Sequence, residues 1–110
     1  DLTNKLRLPK ATLNSEPSWF GYLITLKPTA GISRKELLEK LQENKIATRL
    51  LFAGDLRKQP YFKGISYRSI GDLPHTEDVL LNSFWIGVTP MINDDMVDYV
   101  IDVFHKILAE

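Results

Sequence analysis

The sequence predicts an α+β fold: a small two-layer sandwich with a mainly antiparallel sheet and helices on one side. Three observations lead there. The 110 residues, 44% hydrophobic and 25% charged, suit a single domain with one core. Segments of strand period and of helix period follow in the order strand, helix, strand, loop, short helix, strand, helix. One late segment, "FWIGV", is apolar throughout, as a central strand covered on both faces would be. A small sheet whose apolar face is covered by helices is the economical way to bury these segments together.

Residues 1–18 read as an irregular lead punctuated by Pro9 and Pro17. Residues 19–26, "WFGYLITL", alternate as a strand, with Phe20, Tyr22, Ile24 and Leu26 on one face. Lys27-Pro28 ends it. "ISRKELLEKLQENK" carries the marks of a helix. Ser33 and Glu36 form a capping box, Ile32 and Leu37 a hydrophobic staple, and Leu37, Leu38 and Leu41 the apolar stripe. Asn44, tolerant of the left-handed conformation, is the expected stop.

A short strand is expected over 46–51, then one helical turn in "KQPYF". Residues 63–74 read as an ordered loop held by Tyr67, Ile70 and Leu73 and broken by Gly64, Gly71 and Pro74. A helix over 76–82 precedes a strand over 84–88. The last helix starts at Asn93 as N-cap, with Asp94 and Asp95 in the first turn. Its core stripe is expected at Val97, Val100, Ile101, Phe104, Ile107 and Leu108.

Much chemistry is excluded. With no cysteine, this segment has no thiol nucleophile, no Cys-ligated zinc and no ligand for an iron–sulfur cluster. His75 and His105 have no ligand spacing, and no glycine-rich phosphate loop is present. Neither a catalytic residue nor a metal ligand can be assigned. There is no signal peptide and no apolar run of about 20 residues, so the expected setting is cytoplasmic, away from membranes.

The formal net charge is zero but unevenly spread. Residues 49–68 hold five basic groups (Arg49, Arg57, Lys58, Lys63, Arg68) against Asp55, while 69–110 hold one basic group against eight acidic ones. The middle segment is a local cationic patch whose natural partner is a small anion or phosphate. Arg49 lies inside an apolar strand, so it either pairs within the chain or reaches a bound phosphate or sugar hydroxyl. Phe52, Tyr61, Phe62 and Tyr67 are interleaved with these cations and offer faces for stacking on a base. Five cations on a neutral domain are few for a nucleic-acid partner.

The blocks "NSEPSWFGYLITLK", "TRLLFAGDLRKQPYF", "YRSIGDLPHTEDVLLNSFWIGVTP" and "DDMVDYVIDVF" resemble the C-terminal part of the pyridoxal-phosphate-type sugar aminotransferase and dehydratase family (DegT/DnrJ/EryC/StrS type). Within it they are most similar to the CDP-4-keto-6-deoxyglucose 3-dehydratase branch of lipopolysaccharide biosynthesis. The resemblance implies that 19–110 is the C-terminal small domain of a larger fold-type-I enzyme, inactive alone. A large domain of the same chain would hold pyridoxal or pyridoxamine phosphate (PLP/PMP), and no cofactor-binding residue falls in this segment. The resemblance further implies a homodimeric parent, a nucleotide-sugar substrate, a reductase partner and an iron–sulfur cluster held upstream.

For the small domain the resemblance implies one wall of a substrate cleft. Trp19, Phe20, Arg49, Phe52, Gln59 and Tyr61 are its expected substrate-binding residues, with Arg68 toward the nucleotide diphosphate; Trp85 is expected to pack. Two departures stand out: Asp55 in place of an uncharged Asn, and "TPMIND" in place of an aromatic-Pro-Gly-Leu turn. A carboxylate beside a diphosphate would weaken binding. The other readings are an aminotransferase fragment, an independent small-molecule-binding regulatory module, and a single-stranded nucleic-acid binder.

Overall fold

The chain was analysed as a computed structural model, which describes residues 1–109. Four strands form one antiparallel sheet in the order β1-β2-β4-β3: β1 (Leu6–Arg7), β2 (Gly21–Leu26), β3 (Thr48–Leu50) and β4 (Ser83–Gly87). The helices are α1 (Arg34–Glu43), α2 (Pro74–Asn82) and α3 (Asp94–Ala109). Short 3₁₀ turns occupy Pro28–Ala30, Leu56–Lys58 and Pro60–Phe62.

The register divides the side chains between two faces. Leu6 lies opposite Leu26, and Ile24 opposite Phe84, which faces Leu50 in turn; Tyr22, Ile86 and Thr48 form the next row. These rows meet α1 and α3. Phe84, Leu37 and Leu41 have no solvent exposure at all, and Ile24, Leu26, Val103, Phe104, Ile107 and Leu108 complete the core. The opposite face carries Arg7, Thr25 and Ser83 in one row and Leu23, Trp85 and Arg49 in the next. At its first row α2 leans on this face, where Asp78 holds Arg7 at 2.8 Å and the buried Thr25 and Ser83 hydroxyls bond each other at 2.8 Å. The second row is only partly covered, with Leu23 and Trp85 half-buried and Arg49 exposed, so β4 is not the strand covered on both faces that "FWIGV" led one to expect.

Local signals explain the helix ends. Ser33 Oγ accepts the Glu36 N–H at 3.2 Å, so the capping residue expected for α1 is in place. Asn93 Oδ1 likewise accepts the Met96 N–H at 2.9 Å. Asn44 closes α1 but keeps a negative φ; the left-handed residue is Lys45. The core stripe of α3 is displaced from expectation: Val103 replaces Val97 and Ile101, which are 44% and 48% exposed. The sheet is narrower than the helix is long, so only the C-terminal half of α3 meets it.

The N-terminal segment also differs from expectation. Residues 1–18, read as irregular, supply β1, whose Leu6 is 4% exposed. A two-residue strand shows no alternation, so its pairing was invisible until β2 presented an edge to it. Lys5 Nζ donates to the Leu108 carbonyl and Thr29 Oγ1 to the Asn4 carbonyl, tying the lead to the end of α3 and to the turn after β2.

Leu6→Ala is expected to cost about 2–4 kcal/mol, as a truncated core leucine does. Urea unfolding would check it; a change below about 0.5 kcal/mol would mean that the lead is not part of the folded unit.

Candidate functional site

The open row of the second face is a corner of aromatic rings. Trp85 lies at its centre, half-buried, across from Arg49 on one side and Leu23 on the other. Phe20 packs against Trp85 at 5.3 Å and 58°, and Phe52 meets it edge-on at 5.3 Å and 80°. Both distances fall in the favourable range for tilted aromatic pairs. Phe20 and Phe52 are 84% and 81% exposed, so each contributes an open ring face beside the indole.

Glycine makes the corner possible. A Cβ on Gly21 would sit 3.2 Å from the Trp85 ring, so the indole is seated over bare backbone. β2 begins at Gly21, two residues later than the alternation implied. Released from the pleat, Phe20 leaves the core-side series and turns to Trp85. Phe52 occupies the left-handed region at φ 44°, an uncommon conformation for a bulky residue. The strain aims its ring away from the strand and at Trp85.

Arg49 needs no buried partner, because β3 is an edge strand and leaves the side chain exposed. Among the described residues it has neither an ion pair nor a hydrogen bond. Two of the other four cations of the patch are paired internally, while Lys63 and Arg68 are exposed. Arg57 holds Asp55 at 2.7 Å and Lys58 holds Glu77 at 3.3 Å. Asp55 is 2% exposed, and its hydrogen bonds to Arg57 keep its carboxyl below the usual range despite burial. The carboxylate expected to repel a diphosphate is therefore neutralised inside the loop. It also caps the Leu56–Lys58 turn by accepting the Arg57 backbone N–H at 3.0 Å.

The other expected residues fall elsewhere. Gln59 turns inward and donates from Nε2 to the Ala53 carbonyl at 2.7 Å, bracing the loop. Tyr61 is exposed and leads a second aromatic string, Tyr61–Phe62–Tyr67, with centroid spacings of 6.1 and 5.1 Å. Arg68 follows Tyr67 and is exposed. Trp19 is part of neither ring group. The structure thus gathers Phe20, Arg49 and Phe52 around Trp85, which was expected only to pack. The sequence held one signal for it: in "FWIGV" Phe84 and Trp85 must point to opposite faces, and only one face had helices to spare.

Beside Phe52 the surface is concave, bounded by Leu51, Gly54, His75, Thr76 and Val79. Gly54, at φ 62°, comes so close to α2 that a Cβ would lie 2.4 Å from Leu80 Cδ1. The "TPMIND" segment is exposed throughout, with Met91 at 85%. No helix among the described residues is long and apolar enough to cross a membrane.

The described residues form an antiparallel sheet backed by two helices on one face, with a cluster of aromatic rings on the other. Residues 1–105 match the DegT/DnrJ/EryC1/StrS aminotransferase family, and the chain belongs to that family. It is 49% identical over 104 residues to the lipopolysaccharide biosynthesis protein RfbH of Salmonella typhimurium, covering 94% of this chain and 24% of the relative. It is 41% identical to the dTDP-4-dehydro-2,6-dideoxy-D-glucose 3-dehydratase of Saccharopolyspora spinosa, over 96% of this chain and 23% of that enzyme. Among solved structures, the E. coli GDP-4-keto-6-deoxy-D-mannose-3-dehydratase with bound hydrated PLP superposes with a TM-score of 0.79 at 26% identity, over 93% of this chain and 26% of that one. The chain spans about a quarter of the length of these relatives.

Two measurements check this geometry. Gly54→Ala is expected to destabilise by about 2 kcal/mol, through the left-handed φ and the collision with Leu80. The second is acid sensitivity. Asp55 and Asp78 have lowered folded pKa values, Asp55 chiefly through Arg57 and Asp78 through Asn82 and then Arg7. Their stabilisation is complete above the unfolded value of about 3.9 and is lost as pH falls through the lower folded values. Asp55→Asn should therefore lose less stability than the parent sequence between pH 6 and pH 3, read as the difference in urea midpoint.

Proposed function

We propose that this chain is the C-terminal small domain of a PLP/PMP-dependent nucleotide-sugar 3-dehydratase of lipopolysaccharide sugar biosynthesis. It would supply one wall of the substrate cleft and be inactive alone. The observation that carries the reading is the Phe20–Trp85–Phe52 corner with the unpaired Arg49 beside it. Open ring faces suit the flat faces of a base or hexose, and a guanidinium fork suits a phosphate or vicinal hydroxyls. The two similar 3-dehydratases, both named for nucleotide-linked 4-keto deoxysugars, support the substrate class.

In this reading the cofactor belongs to the remainder of the parent. PLP needs a phosphate cradle and an anchoring group. The concavity beside Phe52 is lined by Leu51, Phe52, Gly54, His75, Thr76 and Val79 with no lysine, and the corner next to it offers only Arg49 as a cation. These residues do not make a site for the group, so no step is derived through it. An iron–sulfur cluster has no ligand here either, because the chain has no cysteine. A cluster, a reductase partner and a homodimeric parent remain parts of the proposal. So does a cytoplasmic setting.

The uncovered surface supports a neighbouring unit. Phe20, Phe52, Tyr61, Ile70 and Met91 are each more than 60% exposed. In this reading the remainder of the parent would cover those of them that lie beside the Trp85 corner. The family's aminotransferases keep a second reading open, in which the parent transfers an amino group to the same class of sugar. The residue that decides between the two lies outside this chain.

The test uses the full-length parent. Trp85→Ala and Arg49→Gln are each expected to weaken nucleoside-diphosphate binding about tenfold, the loss of one stacked ring or one charged hydrogen bond. An absorbance scan with added PLP is expected to develop a cofactor band. A native product of about this chain's own length, with no band and no effect of either substitution, would leave an independent binding module instead.

A further inference from the structure

Arg57 was not among the expected site residues, and its side chain is only 20% exposed. Its contacts are unusually complete. Nε donates to both Asp55 oxygens at 2.9 and 3.0 Å, and Nη2 donates to Oδ2 at 2.7 Å. On its other side Nη1 donates to Ser69 Oγ at 3.1 Å and Nη2 to the Asp72 carbonyl at 2.9 Å. Of five N–H donors a single one, on Nη1, is left for anything else. A guanidinium spent in this way cannot itself grip a ligand.

What it holds is the loop that carries Arg68. Every residue from Lys63 to Leu73 is exposed, so no core contact fixes this stretch. Among the described residues, the hydrogen bonds that tie 66–72 to the rest of the chain both come from Arg57. Ser69 passes the constraint on by donating to the Gly71 carbonyl at 2.9 Å. The Tyr67 ring also packs on Phe62 at 5.1 Å. The buried Asp55 anchors the other end, three residues past Phe52. One side chain therefore sets the spacing between the Phe52 corner and the Arg68 loop.

We propose that Arg57 is a positioning residue of the nucleotide-diphosphate site: it touches no ligand but holds Arg68 where a diphosphate meets it, at a fixed distance from the Trp85 corner. This rests on the nucleotide-sugar reading above. It explains why a cationic segment invests its most buried arginine in a neutral pair: the charge is used as a five-donor fork, and Arg49 and Arg68 are left free for the anion.

The test is a double-mutant cycle in the full-length parent, with CDP, GDP and dTDP as probes in titration calorimetry. Arg68→Gln and Arg57→Gln are each expected to weaken the best-bound diphosphate about tenfold. The double variant should bind no more weakly than Arg68→Gln alone, because Arg57 acts only through Arg68. General destabilisation would give additive losses instead, and additivity overturns the proposal. So does an unchanged affinity in Arg57→Gln. Ser69→Ala removes one outer contact while leaving the Asp55 pair, and is the second variant should Arg57→Gln fail to fold. It is expected to weaken binding about threefold with the same non-additivity, and an unchanged affinity overturns the proposal. Arg49→Gln separates the two levels. If it weakens binding while Arg68→Gln and Arg57→Gln do not, the clamp fails and the substrate reading stands. If none of the three matters, both fail.

Discussion

The pleat of β4 is the constraint on which the rest depends. Successive residues of a strand point to opposite faces, so Phe84 and Trp85 cannot share an environment. Phe84 goes to the side where α1 and α3 lie and is fully buried there. Trp85 is thereby committed to the other side, where it stays half-buried. Its position in the middle of the sheet gives it β2 on one side and β3 on the other. Gly21 offers it bare backbone, and Arg49 stands across from it. Core and candidate site are thus two faces of one five-residue strand. A one-residue slip in its register would exchange them.

The loop from Leu51 to Leu73 shows how an irregular segment is given shape without a core. Its backbone is held by side chains. Asp55 caps a 3₁₀ turn, Gln59 braces Ala53, and Arg57 spans to Ser69 and Asp72. A polar group buried in such a place must be satisfied, and no buried side-chain nitrogen or oxygen among the described residues lacks a partner. The glycines at 54, 64 and 71, all at positive φ, allow the sharp changes of direction. A basic segment read from composition alone looks like an anion trap. Two of its five cations, Arg57 and Lys58, are paired inside the fold, and Arg49, Lys63 and Arg68 are left exposed.

The distribution of apolar surface has the same logic. The described residues complete one core. Phe20 and Phe52 on the open face, Met91 in the turn after β4 and Met96 in the first half of α3 leave more than half of their surface exposed. The relatives it matches are about four times longer. The candidate site lies on the border between the finished core and the unfinished surface. A ligand shared between two units would occupy such a border.

Read by itself, the sequence determined the α+β class, both capped helices, the interior of β2 and β4, and the family. Those features rest on local physics: capping hydrogen bonds between near neighbours, periods of 2 and 3.6, and quoted blocks specific enough to match. Arg49 and Phe52 were legible as candidates from their chemistry and Phe20 from the resemblance, and the fold brings all three to Trp85. The tertiary structure alone decided the rest. The pairing of Leu6–Arg7 required an edge that only the folded β2 provides. The spread of α3 between core and solvent required the width of the sheet. The role of Trp85 required knowing which face lacked a helix. Asp55, Arg57 and Gln59 required the meeting of segments up to 15 residues apart, and the charge of a side chain does not reveal whether it will be spent inside the fold or offered to a ligand. That choice is made by burial and by the partners within reach, which only the assembled chain sets.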